Sequence, residues 1–334
     1  MLNIAVVGAG SWGKNLVRNF ASLKSASLSA VCDLDEAKLA PLRPSYPRAR
    51  FTTNLSDVLA DPSIHALVIA TDAPSHFAHA KAALEAGKHV YVEKPMCQTS
   101  AEAGQLVALA SSRRLKLMVG HLLLYHPAVS ALKRLVDTGD LGPTYYMYTQ
   151  RLNLGVVRSN ENAWWSLAPH DISVITYLFG DLPSRVSAQG QCYLQKDIED
   201  VVFATLHFSD RRLAQIHTSW LDPHKMRRMT VVGSRKMATF DDMDPSEKLW
   251  IYDKGASANL TYASYGEAIT LRQGDIYIPR LDSTEPLKLE CQHFADCISA
   301  DKPPLTDGPS GVDVVRVLEA GQRSIKAGGA PEEV

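Results

Sequence analysis

A glycine-rich turn near the start of the chain constrains the fold most strongly. The apolar run Ile4–Val7 meets a G-x-G-x-x-G spacing at Gly8, Gly10 and Gly13, and a helical apolar pattern begins at Leu16. This order predicts a strand, a tight turn and a helix. Gly8 permits the turn, Gly10 lets the backbone approach a pyrophosphate, and Gly13 lets the helix pack against the strand. The unpaired N–H groups at the helix start would then face the phosphates of a dinucleotide.

An acidic residue after the second apolar run indicates which dinucleotide binds. The run Leu28–Cys32 ends on Asp33, twenty residues after Gly13. A carboxylate at this spacing binds the adenosine ribose 2′-hydroxyl and repels a 2′-phosphate, so we expect NAD rather than NADP as the cofactor. The alternative from the residues alone is a glycine turn in an α/β protein that binds no nucleotide.

Composition restricts the class of protein. The chain of 334 residues is 46% hydrophobic and 21% charged, with a net charge of −1. This length suits about two domains, and the balanced charge argues against a nucleic-acid partner. The N-terminus enters a core strand directly, without a signal peptide, and we find no apolar run long enough for a membrane span. Five scattered cysteines predict neither a metal site nor disulfides, and we expect a cytoplasmic protein.

Residues 1–122 alternate between strand and helix patterns, which predicts a doubly wound parallel sheet, a Rossmann domain. The helices include one ending at Gly87 and one that begins with the capping box Thr99–Glu102. The predicted strands are Leu2–Val7, Leu28–Asp33, a segment around Phe51, His65–Ala70, Lys88–Glu93 and Leu115–Val119.

Residues 123–334 predict a second, α/β domain with a large, open, mostly antiparallel sheet. The C-terminal helix is a candidate to pack back on the first domain. Short alternating runs rich in Val, Ile, Thr and aromatic residues predict the strands. They are Thr144–Asn153, Ser184–Tyr193, Asp200–Phe208, Leu213–Trp220, Met229–Val232, Lys236–Phe240 and Lys248–Tyr252, with helices from Pro127 to Thr138 and at Ser166–Phe179, Leu287–Ile298 and Val312–Lys326.

Ligands of such parallel sheets bind beyond the carboxyl ends of the strands. Lys94 follows the fifth strand, and Pro95 fixes the backbone there. A lysine at this position can stabilise the alkoxide that develops when a hydroxyl is oxidised. The alternative is an ordinary surface lysine. The predicted cofactor contacts are Gly8, Gly10, Ser11, Trp12, Gly13, Asp33, Thr71, His76, Glu93, Lys94 and His121.

A polar segment before the second-domain helix predicts the substrate site. His170 follows Pro169 near the expected helix start, where the helix dipole favours the neutral form that a general base needs. The alternatives are a capping or packing role for His170 and a core role for the tryptophan pair at 164–165. The predicted substrate contacts are Lys94, Tyr148, Arg151, Asn153, Arg158, Asn162, Trp165 and His170.

These motifs together resemble the Gfo/Idh/MocA family of NAD(P)-dependent oxidoreductases. The resemblance spans most of the chain, and its most specific part is the run Ala86-Gly87-Lys88-His89-Val90 that continues into Glu93-Lys94-Pro95. The other matching segments are Val7–Gly13, His126–Ala128 and His170 followed by Leu178–Gly180. The resemblance implies that Lys94 and His170 are the catalytic pair. It also implies that the second domain covers the substrate and forms a homodimer or homotetramer.

The chain departs from the family pattern at two positions. The family usually has Asp four residues before the catalytic histidine and often Asp three residues after it, where this chain has Ser166 and Ser173. This chain therefore lacks the carboxylates that such a mechanism would use, and catalysis depends more on Lys94 and His170.

Within the family, the segment from Arg151 to Ser173 looks like the branch that oxidises UDP-linked N-acetyl sugars. This implies oxidation of the 3-hydroxyl of UDP-N-acetylglucosamine, with the 3-keto product passed to an aminotransferase on a route to lipid A. The alternatives are the corresponding uronate of O-antigen synthesis, a free polyol or inositol, and a non-catalytic nucleotide sensor. A uronate would need a cation for its carboxylate, which Arg151 or Arg158 could supply.

Overall fold

The computed structural model describes residues 1–258 and 269–334, and the chain divides into two compact units. The first unit comprises Met1–Tyr125 and Thr284–Arg316, and the second comprises His126–Ser283 and Val317–Val334. The predicted boundary after residue 122 thus lies three residues early. The sequence analysis also placed residues 284–316 in the second domain, whereas they fold with the first. Within the described ranges, no helix combines the length and apolarity that a membrane span requires.

The first unit contains a parallel sheet of six strands in the order β3-β2-β1-β4-β5-β6. This is the Rossmann order, which reverses direction between β1 and β4 and opens a crevice there. The predicted parallel sheet is therefore confirmed. Its strands are β1 (Leu2–Val7), β2 (Ala26–Cys32), β3 (Arg50–Thr52), β4 (Ala66–Ile69), β5 (His89–Glu93) and β6 (Leu117–Gly120).

Nine α-helices are present in the described residues. The N-cap half of the predicted capping box is confirmed, because the Thr99 side chain accepts a hydrogen bond from the Glu102 N–H. The helices are α1 (Gly13–Ser22), α2 (Glu36–Leu39), α3 (Leu55–Leu59), α4 (His76–Glu85), α5 (Ser100–Ser112), α6 (Pro127–Asp137), α7 (Ala163–Phe179), α8 (Pro286–Ser299) and α9 (Gly308–Lys326).

An aromatic cluster explains why the segment 284–316 folds with the first unit. Phe294 of α8 packs edge-on against Phe20 of α1 and Tyr91 of β5, with ring centroids 6.4 and 5.8 Å apart. All three side chains are fully buried. Burial of aromatic surface of this size is among the largest contributions to a core, so α8 is part of the first unit's core.

The second unit contains a sheet of nine strands in the order β14-β13-β12-β11-β7-β10-β9-β8-β15. Strands β7 and β10 pair in parallel, and the other pairings are antiparallel, which confirms the predicted mostly antiparallel sheet. The sequence analysis missed β14 and β15. The strands are β7 (Thr144–Leu152), β8 (Arg185–Gln191), β9 (Val201–His207), β10 (Leu213–Ser219), β11 (Met226–Gly233), β12 (Met237–Asp241), β13 (Leu249–Ala258), β14 (Ile269–Tyr277) and β15 (Glu332–Glu333).

The two faces of this sheet differ in what covers them. Helix α7 contacts strands β7, β9 and β10 on one face, called here the helix face. Met147, Thr149 and Arg151 of β7 are buried, whereas Tyr148 and Gln150 between them are partly exposed. Because side chains alternate along a strand, the even-numbered residues lie on the opposite, open face. This alternation decides which predicted substrate contacts share a face.

Candidate functional site

The turn after β1 has the geometry that a dinucleotide diphosphate requires. Gly8 has φ of +99°, and a Cβ there would lie 2.5 Å from the Ala70 carbonyl oxygen. A Cβ on Gly13 would overlap the Gly8 carbonyl oxygen, whereas no atom lies within 4 Å of a Cβ placed on Gly10. The first and third glycines are therefore needed by the fold, and the second leaves open space for a ligand. These residues fit NAD.

The start of α1 is available to an anion. Trp12 occupies the N-cap position without a side-chain cap hydrogen bond, and Ser11 and Trp12 are exposed. The backbone N–H groups at such a helix start attract phosphate through their partial positive charge. The indole Nε1–H of Trp12 donates to Glu93 Oε1 at 2.6 Å. This bond ties the glycine turn to the end of β5.

Asp33 lies beside the glycine turn, as the spacing predicts. Its Oδ2 accepts from the Ala9 N–H at 2.7 Å, and its Oδ1 accepts from the Asp35 N–H at 2.9 Å. Lys38 lies 3.6 Å from Oδ1, and the Asp33 side chain is 9% exposed. The carboxylate is thus held in a fixed orientation next to the dinucleotide loop, where it would repel a 2′-phosphate.

His76 connects the loops that follow β4 and β5. Its Nδ1 lies 2.8 Å from the Pro95 carbonyl oxygen and its Nε2 lies 3.2 Å from that of Thr71. The ring is buried, and burial lowers the pKa of His76. Because a neutral imidazole has one N–H, His76 donates to one of these two carbonyl oxygens, and that of Pro95 is the nearer. The sequence analysis predicted a direct cofactor contact, and the structure gives His76 this supporting position instead.

Glu93 and Lys94 stand at the carboxyl end of β5. Burial raises the pKa of Glu93, and Trp12, the Lys94 N–H and Tyr91 all donate hydrogen bonds to its carboxyl group. Lys94 is partly exposed and comes directly after the last residue of the strand. The backbone of Lys94 is therefore fixed by the strand before it and by Pro95, which His76 holds, after it.

His121 follows β6 at the same edge of the sheet. It is 2% exposed, and neither ring nitrogen makes a hydrogen bond to any residue that the structure describes. Burial lowers the pKa of His121 to about 3, with Lys94 contributing, so the ring is neutral near pH 7. A buried imidazole with both nitrogens unsatisfied fits a site where a polar group of the cofactor supplies the missing partner.

In the second unit, α7 begins earlier than predicted. The Asn162 side chain caps the helix at the Trp165 N–H, so the tryptophans at 164 and 165 lie inside α7. Trp164 is fully buried and donates to the Leu318 carbonyl oxygen at 2.9 Å, which makes it a core residue. Trp165 remains partly exposed.

The earlier helix start corrects the argument for His170. His170 is the eighth residue of α7, two turns from the N-terminus, and Pro169 lies in the helix interior. The dipole acts mainly within the first turn, so it does not supply the pKa effect that the sequence analysis invoked. His170 is partly exposed, and its candidacy as a base rests on the family motif rather than on the dipole.

Arg151 is paired inside the protein. Its Nε and Nη2 donate to the two carboxylate oxygens of Asp171 at 2.8 and 3.2 Å, and both side chains are buried. This bidentate pair joins β7 to α7 next to His170, so we assign Arg151 to positioning the helix rather than to holding a substrate. The sequence predicted Arg151 as a substrate contact but gave no role to Asp171. The signal available for Asp171 was its position directly after the candidate base, His170.

The Asn162 side chain is also held by hydrogen bonds within the protein. Besides capping α7, it donates to Glu199 Oε2 at 2.5 Å and to Gln322 Oε1 at 2.8 Å. The remaining predicted contacts are more accessible. Asn153 is partly exposed directly after β7, and Arg158 is exposed and pairs with Glu161 at 3.0 Å.

Tyr148 lies on the open face of the nine-stranded sheet, opposite to the helix face where Arg151 meets α7. It borders a cavity of about 360 Å³ with Thr230, Thr239 and Trp250, the residues paired across the strands from it. Because one strand cannot direct an even-numbered and an odd-numbered side chain to the same face, Tyr148 does not share a site with Arg151. The sequence analysis was wrong to group them, since it ignored this alternation.

Comparison with known proteins gives the family. Residues 2–121 match the oxidoreductase family with an NAD-binding Rossmann fold, and residues 129–239 match the GFO/IDH/MocA C-terminal domain. The UDP-N-acetylglucosamine 3-dehydrogenase of Acidithiobacillus ferrooxidans is 27% identical over 312 residues, which cover 93% of each chain. An uncharacterised oxidoreductase of Bacillus subtilis is 24% identical and covers 97% of this chain and 94% of its own.

Solved structures share the complete fold. The crystal structure of the Acidithiobacillus ferrooxidans enzyme superimposes with a TM-score of 0.84 at 24% identity, over 98% of this chain and 99% of that one. GenD2 from gentamicin A biosynthesis, solved in complex with NAD, also gives 0.84 at 24% identity, over 100% of this chain and 96% of that one.

The two family matches together span more than half of the chain, one in each unit. Their N-terminal part coincides with the parallel sheet whose glycine turn and Asp33 fit NAD. The chain therefore belongs to the Gfo/Idh/MocA family of oxidoreductases and carries its NAD-binding Rossmann domain.

Proposed function

We propose that this protein oxidises the 3-hydroxyl of UDP-N-acetylglucosamine to the 3-keto nucleotide sugar, with NAD as acceptor. The observation that carries the proposal is the similarity to a UDP-N-acetylglucosamine 3-dehydrogenase along 93% of both chains. This similarity includes the second unit, where the candidate substrate residues lie. The keto product suits an aminotransferase as the next enzyme, on a route to a diamino sugar such as that of lipid A.

Two residues would perform the proton and charge transfers. NAD, when bound, would supply the acceptor for the hydride of sugar C3. His170 takes the proton of the 3-hydroxyl as general base. The Lys94 ammonium stabilises the negative charge that develops as the hydroxyl is oxidised.

Serines replace the carboxylates that many relatives have near the base. Ser166 is buried in α7, and the Ser173 hydroxyl donates to the His170 carbonyl oxygen at 2.9 Å. Ser173 thus supports the backbone of the base without adding a negative charge. The nearest carboxylate in sequence, Asp171, is neutralised by Arg151. In this proposal Lys94 and His170 act without help from an acidic residue of α7.

The charges of the second unit favour a neutral sugar over its uronate. A uronate carboxylate would need a cation, and the two candidates named from the sequence were Arg151 and Arg158. Arg151 is buried in its pair with Asp171, and Arg158 lies 3.0 Å from Glu161. If Arg151 bound the uronate instead, the buried Asp171 carboxylate would lose its paired charge, which would destabilise the protein. We therefore prefer UDP-N-acetylglucosamine as substrate.

We also propose that the protein forms a homodimer or homotetramer through the open face of the nine-stranded sheet. Phe203, stacked on His217 at 4.2 Å, lies on this face and is 49% exposed. Leu271 and Ile276 of β14, which pair with Ala256 and Tyr252 on the same face, are 71% and 49% exposed. Exposed aromatic and aliphatic side chains on one sheet are typical of interfaces. The mass of the protein in solution tests this assignment.

A substrate panel tests the proposed activity. The purified protein is mixed with NAD and either UDP-N-acetylglucosamine, its uronate, or free myo-inositol, and NADH formation is followed with an aminotransferase present to remove ketone. We expect signal with the neutral nucleotide sugar, lost in Lys94→Ala and His170→Ala. NADH formation with the uronate alone, or with inositol alone, would contradict the proposal and support that alternative substrate. Silence with all three, despite tight NADH binding, would contradict it.

A further inference from the structure

One side-chain hydrogen bond crosses the carboxyl edge of the parallel sheet. Trp12 stands in the turn between β1 and α1, and its indole Nε1–H donates at 2.6 Å to Oε1 of Glu93, the last residue of β5. Strand β4 lies between β1 and β5 in the sheet. Neighbouring strands are about 4.8 Å apart, so the bond joins elements separated by about 10 Å. A dinucleotide in such a sheet binds across the crevice between β1 and β4, which this bond also spans.

The helix that follows Trp12 does not use its side chain. Trp12 is the N-cap residue of α1 but makes no side-chain cap hydrogen bond, and it is 39% exposed. Its backbone belongs to the turn, because the Asn15 N–H donates to the Trp12 carbonyl oxygen at 2.9 Å and the Lys14 N–H donates to that of Gly10 at 3.2 Å. The backbone of Trp12 therefore moves with the phosphate-binding turn, while its side chain is held by β5.

The acceptor is a buried carboxyl group that is hydrogen-bonded on both oxygens. Glu93 is 8% exposed, and it also accepts from the Tyr91 hydroxyl at 3.2 Å on Oε1 and from the Lys94 N–H at 3.3 Å on Oε2. Gly120 on β6 leaves room for this cluster, since a Cβ there would lie 2.8 Å from the Tyr91 hydroxyl and 3.0 Å from Glu93 Oε1. Tyr91 and Lys94 belong to β5 or follow it directly, so of these three donors Trp12 is the one that joins β5 to another element.

We infer that Trp12 is a positioning residue for the cofactor, which acts through Glu93 to hold the glycine turn at a fixed distance from the end of β5. The turn is the candidate site for the diphosphate, and the end of β5 leads into Lys94. A fixed spacing lets one dinucleotide reach both places without first ordering the turn, and such preorganisation raises affinity. The inference rests on NAD binding by the first unit and is independent of which sugar the protein oxidises.

The experiment measures the Kd for NADH with the full chain, without sugar present. Trp12→Phe keeps an aromatic ring at this position but removes the N–H. We expect the Kd to rise roughly three- to tenfold, because a hydrogen bond to a carboxylate is lost and the turn must then be ordered on binding. The thermal unfolding temperature without NADH should stay close to that of the wild type, since the partly exposed indole adds little to the core.

Tyr91→Phe is the matched control. It removes the other donor to the same Glu93 oxygen, but Tyr91 belongs to β5 itself, so the glycine turn keeps its bond. A loss of affinity caused only by a missing donor to the carboxylate would be equal in the two variants. We expect the Kd for NADH to rise less in Tyr91→Phe than in Trp12→Phe.

Two further readouts test whether Trp12 acts through Glu93. The effect of Trp12→Phe on the Kd should be smaller in a Glu93→Gln background, because a neutral acceptor binds the indole N–H less strongly. In the active enzyme, Trp12→Phe should raise the KM for NAD with little change in kcat, since Lys94 keeps its own bond to Glu93 Oε2. Simple loss of folded protein does not produce that separation.

Three results would overturn the inference. One is a Trp12→Phe protein that binds NADH as tightly as the wild type. Another is an equal rise of the Kd in Trp12→Phe and Tyr91→Phe. The third is an effect of Trp12→Phe that is as large with Gln at position 93 as with Glu. Should Tyr91→Phe fail to fold, the comparison in the Glu93→Gln background decides the question. Failure to oxidise UDP-N-acetylglucosamine would leave these binding results interpretable.

Discussion

At the scale of single residues, we expect Asp33 to determine which dinucleotide the first unit accepts. Its two oxygens are fixed by the N–H groups of Ala9 and Asp35, so the negative charge cannot turn away from the ribose position. We expect Asp33→Asn to lower the preference for NAD over NADP at least about tenfold, because the repulsion of the 2′-phosphate is lost. The ratio of the two Kd values measures this effect.

Glu36→Gln is the control for the Asp33 substitution. Glu36 lies three residues further along, is exposed, and pairs with Arg43 at 2.8 Å. Its neutralisation changes the net charge equally but should leave the preference unchanged. A wild-type protein that binds NADP as tightly as NAD would contradict the role given to Asp33.

The buried pair of Arg151 and Asp171 makes a second prediction at this scale. Arg151→Met leaves an uncompensated carboxylate in the protein interior and should lower the free energy of unfolding by about 3–5 kcal/mol. Arg158→Met breaks an exposed pair and should cost at most about 1 kcal/mol. Denaturant unfolding of the two variants gives the comparison. Equal, small losses would return Arg151 to the list of candidate substrate contacts.

These residues also show what the sequence could predict. The position of Asp33 followed from its distance to the glycines, because the strand–turn–helix unit fixes that distance locally. The pairing of Arg151 with Asp171 joins a strand to a helix across 20 residues, and no local pattern encodes it. Tyr148 was misplaced because neighbouring residues of a strand face opposite sides.

At the scale of elements, the glycine turn separates a folding requirement from a binding requirement. Gly13→Ala should destabilise the protein by several kcal/mol or prevent folding, because a Cβ would overlap the Gly8 carbonyl oxygen. Gly10→Ala should fold normally, since no atom lies within 4 Å of the added methyl group, but it should weaken NADH binding at least about tenfold. Thermal unfolding and NADH titration of both variants test this separation. A Gly10→Ala protein with unchanged affinity would show that no phosphate approaches this position.

The helix and strand pattern was predictable where local signals were strong. β1 was predicted with its observed bounds, and the capping box located α5. The start of α7 was missed by three residues because Pro169 was taken as an early-helix signal, whereas it lies in the helix interior. The actual start is marked by Asn162, a common N-cap residue whose role was attributed to substrate binding.

At the scale of the whole molecule, the burial of His121 in its neutral form makes the free energy of unfolding depend on pH. The pKa of His121 is about 3 in the folded protein and near 6.5 when the residue is exposed. Between these values the unfolded chain binds a proton that the folded protein does not. The contribution of His121 to stability is therefore complete above pH 6.5 and falls by up to about 1.4 kcal/mol per pH unit as the pH drops towards 3.

His121→Asn should remove this contribution to the slope. As the pH is lowered from 6.5 to 4.5, we expect the free energy of unfolding to fall less steeply for the variant than for the wild type. The difference in slope corresponds to the uptake of up to one proton on unfolding. Denaturant unfolding at several pH values gives both slopes. The exposed His224→Asn serves as control and should keep the wild-type slope. Parallel slopes for His121→Asn and the wild type would refute the assignment of a buried neutral ring.

The division into two units was predicted in outline. The change from alternating elements to short strands located the boundary within three residues. The return of residues 284–316 to the first unit depends on Phe294 packing against Phe20 and Tyr91, a contact across more than two hundred residues. Such packing has no sequence signature.

The central claim is that NAD takes the hydride from C3 of UDP-N-acetylglucosamine. The most direct measurement uses substrate deuterated only at C3, with mass spectrometry of the NADH formed while an aminotransferase removes the ketone. Oxidation at C3 predicts deuterium in the NADH and none at C3 of the product. Unlabelled NADH with deuterium retained in the sugar, or no turnover by a protein that binds NADH tightly, would contradict it.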